Sequence, residues 1–152
     1  MPRFFSEFNI EPTISQKRSF TVYQYDRIKI FCGDLFALKK VDLPKIDAVY
    51  DCKALIALSP AQRKHYVDHL VQCLGREITI LLLGFESHDS ISGPPFIIPK
   101  AEINQLYNPY FDIRELERKS KTHIKDHLVQ KGLTEKIDVV YLFKKQTRYP
   151  IV

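Results

Sequence analysis

Apolar residues along the chain alternate between runs typical of strands and spacings typical of helices. The segment Glu77 to Phe85 is apolar at nearly every position after its first residue, which predicts a strand covered on both faces. Shorter runs at Ile28 to Cys32, Ile46 to Tyr50 and Ile137 to Phe143 predict three more strands. Strands separated by helical segments are typical of an α/β sheet with crossover helices, so we expect that fold class.

The clearest helix signal lies between two of the predicted strands. Ser59 and Gln62 have the spacing of a capping box, and Pro60 suits the first helical position. Apolar residues then recur at intervals of three and four until Gly75, which suits a left-handed helix end. We therefore predict one crossover helix between these points.

The remaining segments give weaker predictions. Arg3 to Phe8 has the pattern of a helix end, Asn9 to Ser19 that of a loop, and Ile113 to Gln130 that of a charged helix. Pro99 is expected to begin another helix. We interpret residues 1–152 as a single partial domain: a remnant helix and loop (1–19), an α/β body (20–145) and a tail (146–152).

The net charge of +5 is unevenly distributed. The segment from Arg114 to Arg148 holds ten Lys and Arg residues against five Asp and Glu, whereas the rest holds thirteen of each. A solvated surface is the favoured interpretation. Nucleic-acid binding is the weaker alternative, because the aromatic residues of a stacking platform are not interleaved with these charges.

No apolar run has membrane-spanning length, and the first residues lack the pattern of a signal peptide. The cysteines, Cys32, Cys52 and Cys73, are too widely spaced for a zinc ribbon or a CxxC motif, which indicates reduced thiols. We therefore expect a cytoplasmic protein without a membrane partner.

Three polar segments follow consecutive predicted strands: Gly33-Asp34, Asp51-Cys52-Lys53 and the loop from Glu86. Ligands bind beyond the carboxyl ends of strands in α/β sheets, so we expect these segments to face one site. The pairs His65/His69 and His123/His127 have helical metal-ligand spacing. No carboxylate completes a known metal motif, and we predict no metal.

Four stretches occur in a fixed order with specific spacing: 31–38, 47–58, 63–83 and 93–107, the last opening with Gly93-Pro94-Pro95-Phe96. Together they resemble the thiopurine S-methyltransferase family. The resemblance implies a class I, Rossmann-like methyltransferase sheet and S-adenosyl-L-methionine as cofactor. It also implies methyl transfer to a small-molecule thiol, either a thiopurine or a related aromatic thiol.

The resemblance also implies site residues. Those expected to bind the cofactor are Gly33, Asp34, Leu35, Phe36, Asp51, Cys52 and Lys53, and those expected to contact substrate are Pro94, Pro95, Phe96 and Arg118. Simpler roles stay open: a turn for Asp34, a helix cap for Asp51, a rigid surface turn for the prolines and a solvated cation for Arg118. Lys119 fits the position of Arg118 almost as well.

This sequence departs from the family pattern. The family's first strand, its glycine-rich turn and the acidic residue ending its second strand have no counterpart here, and Cys52 stands where the family usually has arginine. We therefore expect a sheet lacking the first two strands, weak or absent binding of S-adenosylmethionine, and an inactive chain as one outcome. The alternative is a non-catalytic remnant that pairs through an exposed sheet edge with a copy of itself or with a complementing N-terminal fragment.

Overall fold

The computed structural model describes residues 2–147, and residues 148–152 of the predicted tail lie outside that range. The chain divides into two compact units, Met1–Pro44 and Lys45–Val152. The boundary at Pro44 falls within residues 20–145, the segment expected to form one α/β body. Among residues 2–147, no helix combines the length and the apolar composition needed to cross a bilayer.

The first unit is a small antiparallel meander preceded by one helical turn. Its elements are α1 (Arg3–Glu7), β1 (Thr13–Lys17), β2 (Phe20–Tyr25) and β3 (Ile28–Cys32), paired in the order β1-β2-β3. Short turns reverse the chain at Arg18 and Asp26, both with positive φ. Buried Phe5, Phe20 and Val22 form the apolar centre of this unit.

The predicted loop from Asn9 to Ser19 is wrong, because it contains β1. All five residues of β1 are exposed, so no apolar alternation identified the strand. Backbone pairing with β2 holds it in place, with Ile14 opposite Tyr23. The predicted helix end at Arg3 to Phe8 and the predicted strand at Ile28 are confirmed.

The second unit contains a four-stranded mixed sheet. Its elements are β4 (Ala48–Cys52), α2 (Ala54–Ala57), α3 (Pro60–Leu74), β5 (Thr79–Glu86), α4 (Lys100–Tyr107), β6 (Phe111–Ser120), α5 (Asp126–Val129) and β7 (Ile137–Lys145). The strand order is β4-β5-β7-β6, with β4 parallel to β5 and β7 antiparallel to both of its neighbours. The α/β fold class is confirmed, and α3 is the crossover between the parallel strands.

Both ends of α3 follow the predicted chemistry. The Gln62 side chain accepts a hydrogen bond from the Ser59 amide at 3.2 Å, and Pro60 occupies the first helical turn. Gly75 ends the helix with a φ of 82°. The core beneath it is built from alternate residues of β5 and β7, and the ring of Tyr107 stacks on that of Phe143 at 4.1 Å.

The predicted helix from Ile113 to Gln130 is wrong. The segment forms β6, a connecting loop and α5, a single turn. β6 is the last strand of its sheet, and from Arg114 to Ser120 most of its side chains are solvated and polar. A strand with two solvated faces has no period-two apolar pattern, so its charge density resembled that of a surface helix.

Candidate functional site

A cavity of about 700 Å³ in the second unit is the candidate site. Its floor is apolar and is formed largely by side chains of β5, β7, α2 and α5, whereas its rim carries charged side chains. Its lining comprises Lys53, Ile56, Ala57, Leu83, Gly84, Phe85, Pro94, Pro95, Glu117, Lys119, Lys121, Lys125, His127, Leu128, Lys136, Asp138, Val139 and Val140. A volume of this size is typical of small-molecule sites.

The turn from β4 into α2 brings Lys53 to the cavity. Asp51, at the end of β4, accepts hydrogen bonds from the amides of Ala54 (3.1 Å) and Leu55 (3.3 Å), which caps the first turn of α2. The backbone of Lys53 has a φ of 92°, in the left-handed region that residues other than glycine rarely adopt. The helix cap, one of the roles left open for Asp51, is therefore confirmed.

Asp51 is a buried carboxylate, with only 2% of its surface exposed. Its second oxygen accepts a hydrogen bond from the Tyr66 hydroxyl at 2.9 Å. Burial raises the pKa of Asp51, and the hydrogen bonds from Tyr66, Leu55 and Ala54 lower it without cancelling that rise. Both oxygens are committed to structural partners, so this carboxylate holds α2 in place.

The loop containing Pro94 and Pro95 forms another wall of the cavity. The Phe96 amide donates to the carbonyl of Ile56 at 2.7 Å, and Ile98 donates to Phe85 at 3.1 Å. The ammonium group of Lys131 donates to the Pro94 carbonyl at 2.6 Å. These contacts fix the loop against α2, β5 and the segment after α5.

Arg63 also holds this loop in place, and its side chain is fully buried. Its guanidinium donates to Glu102 (2.6 Å), to the Ile97 carbonyl (3.1 Å) and to the Leu58 carbonyl (3.2 Å). The guanidinium carbon also lies 6.0 Å from the centre of the Phe96 ring. Phe96 therefore packs toward Arg63 and is not among the lining residues.

Arg118 lies on β6 and not on a helix, and it is not among the lining residues. A bulge between Glu115 and Glu117 adds one residue to the strand, which puts Arg118 beside Glu115. Arg118 also makes two contacts with Glu86, at 2.7 and 3.0 Å. Arg118, with help from Lys100, lowers the pKa of Glu115 to about 2.

The same bulge directs Glu117 and Lys119 to the cavity, because alternate residues of a strand share a face. Lys119 was the alternative to Arg118 as the cation expected near the substrate. Lys119, and not Arg118, is the β6 cation that lines the cavity. Lys121, Lys125 and Lys136 also line it and were not predicted individually. Their signal in the sequence was the basic excess between Arg114 and Arg148, of which Arg148 lies outside the described residues.

The other predicted cofactor residues lie in the first unit, after β3. The Asp34 carboxylate accepts a hydrogen bond from the Phe36 amide at 3.0 Å, which caps a short 3-10 turn over Leu35–Ala37. Leu35 exposes 44% of its surface. A β-carbon at Gly33 would lie 2.6 Å from the Phe20 ring, so only glycine fits that close approach.

Within the second unit, the structure brings Lys53, Pro94 and Pro95 together at the cavity, with Asp51 and Phe96 as supports behind its walls. Cys52 is exposed and lies outside the lining. Among residues 2–147 no group of three His, Cys, Asp or Glu side chains has the arrangement needed to hold a metal ion.

The loop that follows β5 is held in place by Asp89. Its carboxylate accepts hydrogen bonds from the amides of Thr134 (2.6 Å) and Glu135 (3.1 Å), and from the hydroxyls of Thr134 and Ser87. The two amides are the main cause of a pKa lowered to about 2. Asp89 thereby joins the segment after β5 to the segment before β7.

We expect acid to loosen this junction. A carboxyl whose pKa is lowered by folding stabilises the protein above its unfolded pKa of about 3.9, and this stabilisation is lost as pH falls through about 2. Urea midpoints of the wild type should therefore decline over this range more steeply than those of Asp89→Asn. Parallel declines in the two proteins would contradict the assignment.

A family model described as Thiopurine S-methyltransferase (TPMT) matches residues 1–146. The chain is 36% identical to the thiopurine S-methyltransferase of Nitrosospira multiformis over 95% of its own length and 66% of the relative. The corresponding values are 33%, 91% and 64% for Pseudomonas fluorescens Pf0-1, and 32%, 94% and 66% for Nitrosomonas eutropha. The chain thus spans just under two thirds of the length of these curated relatives.

Proposed function

Because the chain belongs to the thiopurine S-methyltransferase family, we propose that it acts in S-adenosylmethionine-dependent methylation of a thiopurine or a related aromatic thiol. The observation that carries this proposal is the cavity beside Lys53, Pro94 and Pro95, where an apolar floor meets a cationic rim. An aromatic ring suits the floor, and a thiolate suits the rim.

The proposed reaction is an in-line displacement. The acceptor thiol releases its proton to solvent water, and the resulting thiolate sulfur forms a bond to the methyl carbon while the bond from that carbon to the donor sulfonium breaks. The products are a methyl thioether and a neutral donor thioether. S-adenosylmethionine, when bound, supplies the methyl group. The chain has to orient the acceptor and exclude water, and this reaction requires no metal.

Lys53 and Lys119 are the groups proposed to favour the reactive thiolate. Both side chains line the cavity, and a positive charge near a thiol lowers its pKa by favouring the charged form. The ring of the acceptor would contact Leu83, Leu128 and Val140. Pro94 and Pro95 would close the wall with a stiff backbone that loses little entropy on binding.

The side chains that follow β3 have the chemistry to contact an adenine group. Asp34 is exposed and can accept a hydrogen bond from an exocyclic amine, while exposed Leu35 offers apolar surface to a ring. We retain Gly33, Asp34, Leu35 and Phe36 as a proposed cofactor contact of the first unit. In the second unit, Cys52 and Lys53 are separately proposed to contact the cofactor, with Asp51 holding them in place, because both of its oxygens already accept hydrogen bonds within the chain.

A product assay tests the proposed function. The chain is incubated with a thiopurine and S-adenosylmethionine labelled with deuterium in its methyl group, at saturating concentrations of both. We expect mass spectrometry to detect the deuterated methyl thioether. Folded protein that forms no thioether with any aromatic thiol tested would overturn the proposal.

Two substitutions of Lys53 separate the effect of its strained backbone on stability from the effect of its charge on a bound thiol. Lys53→Gly should raise the free energy of unfolding by about 0.5–1 kcal/mol, because glycine adopts a positive φ without strain. Lys53→Ala keeps the strain, so its stability should not rise. Both variants should raise the pKa of a bound aromatic thiol, as followed by its ultraviolet absorbance. Equal stability of the two variants would contradict the strain, and an unchanged thiol pKa would contradict the charge role.

A second candidate function is pairing through the edge of β4. Within the described residues β4 pairs with β5 on one side only, and Tyr50 exposes 65% of its surface. A second copy of the chain would add a strand to this edge. Size-exclusion chromatography should then show a dimer that Tyr50→Lys disrupts and that Val129→Lys, at another exposed apolar position, preserves. A monomer at all concentrations would exclude this function.

A further inference from the structure

Cross-strand pairing assigns the side chains of β6 to one of two faces of its sheet. Glu115 lies opposite Tyr141 and Arg118 lies opposite Val139, and both therefore share the face of Glu86 on β5. We call this side the Glu86 face. The opposite side, here called the cavity face, carries the apolar floor of the cavity.

The bulge of β6 leaves an apolar side chain in solvent. Leu116 is the extra residue, opposite no β7 residue within the described chain, and 47% of its surface is exposed. In a register without the bulge, Leu116 would lie opposite Val140 and contact the apolar floor. Apolar burial and backbone pairing therefore both favour the register without the bulge.

An ion-pair network on the Glu86 face favours the bulged register instead. Arg118 donates to both carboxylate oxygens of Glu86, at 2.7 and 3.0 Å, and to those of Glu115, at 2.9 and 3.3 Å. The ammonium group of Lys100 on α4 lies 3.0 Å from a Glu115 oxygen. The side chains of Glu86, Glu115 and Arg118 are 17%, 23% and 35% exposed. Solvent therefore screens this network less than it screens a pair on the open surface.

The register without the bulge would unbalance these charges. In the bulged register the network holds two carboxylates and two cations, Arg118 and Lys100. A slip of one residue would turn Arg118 to the cavity face and bring Glu117 and Lys119 to the Glu86 face. Three carboxylates would then meet two cations, and like charges at neighbouring positions of a sheet are destabilising.

We infer that Arg118 is a positioning residue, whose ion pairs with Glu86 and Glu115 hold β6 in the bulged register and so bring Lys119 to the cavity. This inference deepens the proposed function and rests on it for the role of Lys119 toward the thiolate. Loss of the ion pairs lets β6 slip by one residue. The slip moves Lys119 to the Glu86 face and Leu116 onto the cavity floor.

Nuclear Overhauser contacts between backbone protons report the register without ligand or reaction. The wild type should show Lys119 opposite Asp138. Arg118→Gln gives both registers the same net charge on the Glu86 face, so roughly half of the chains or more should show Lys119 opposite Ile137. Arg118→Lys keeps the charge and should keep the wild-type contacts. Lys100→Gln removes a cation of the network that lies outside β6, and it should also keep them.

Glu117 provides a second test at a residue outside the network. Glu117 lines the cavity and forms no ion pair within residues 2–147. Glu117→Gln removes the third carboxylate of the register without the bulge, so it should mix the registers as Arg118→Gln does. A purely local role of Arg118 predicts no such effect of Glu117→Gln.

The pKa of a bound aromatic thiol connects the register to the site. Lys119→Gln should raise this pKa by roughly 0.5–1, as measured by ultraviolet absorbance. Arg118→Gln should raise it in the same direction, although Arg118 does not line the cavity. Deleting Leu116 removes the extra residue of β6, so strand alternation alone then turns Lys119 to the cavity face. In the Arg118→Gln background this deletion should restore both the wild-type contacts and the lower thiol pKa.

The register and the reaction fail separately. Wild-type contacts in both Arg118→Gln and Glu117→Gln, or mixed registers in Lys100→Gln, would overturn the inference. If Arg118→Gln does not fold, the contacts of Glu117→Gln decide alone. Mixed registers in a chain that forms no thioether keep the positioning role and remove the proposed reaction. A single register in every variant of a chain that forms the thioether does the reverse.

Discussion

Replacing Arg63 with methionine should lower the free energy of unfolding by about 3–5 kcal/mol. The guanidinium is fully buried and donates to Glu102 and to the carbonyls of Leu58 and Ile97. Methionine fills a similar volume but leaves a carboxylate and two carbonyl oxygens without this donor. Urea unfolding followed by circular dichroism measures the loss.

Two further variants distinguish loss of the ion pair from loss of packing. Removing both partners, as Arg63→Met with Glu102→Gln, should recover part of the stability, since no unpaired charge is left. Arg76→Met removes an arginine whose guanidinium lies over the Tyr110 ring, 5.1 Å from its centre, and it should cost less than about 1 kcal/mol. A cost for Arg63→Met as small as that for Arg76→Met would contradict the structural role of Arg63.

Asp51→Ala should lower the free energy of unfolding by about 2–4 kcal/mol. The substitution removes the cap of α2 and leaves the Ala54 and Leu55 amides and the buried Tyr66 hydroxyl without an acceptor. Urea unfolding again measures the change, and a loss below about 1 kcal/mol would contradict the cap.

Two tyrosines provide the matched control. Tyr66→Phe should cost about 1.5–3 kcal/mol, because it removes a hydrogen bond to a carboxylate. The Tyr107 hydroxyl is buried and has no hydrogen-bond partner among the described residues, so Tyr107→Phe should be neutral or stabilising. Similar costs for the two variants would show that ring packing, and not the hydrogen bond, governs both sites.

The buried state of Asp51 also predicts a pH dependence. Its pKa is raised, so the folded state binds the proton more tightly than the unfolded state. Stability from this group is therefore largest below the unfolded pKa and is lost as pH rises through the folded pKa. Asp51→Asn, which cannot titrate, should lack this component of the pH profile.

How far the sequence predicts the fold depends on burial. β5 and α3 are clear because one is apolar at nearly every position and the other has both caps and an apolar stripe. β1 and β6 give no clear signal in the sequence, because their side chains are largely solvated and the strands are held by backbone pairing. Backbone pairing leaves no periodic signal in the side chains of the strand that it holds.

The same limit applies to the candidate site. Pro94 and Pro95 were predicted through the family resemblance, and Lys53 through its place after a strand. Arg118 could not be placed, because the bulge after Glu115 decides which face each β6 side chain occupies. A bulge adds one residue to a strand and reverses every later side chain, so no reading of spacing distinguishes Arg118 from Lys119 without the register.

The most direct test of the account asks whether the acceptor occupies this cavity. Uniformly ¹⁵N-labelled chain is titrated with a thiopurine and followed by amide chemical shifts. We predict the largest saturable shifts at Gly84, Leu128 and Val140, with Lys53 among the residues affected. Shifts confined to residues outside the cavity lining, or no saturable shift at any concentration reached, would contradict it.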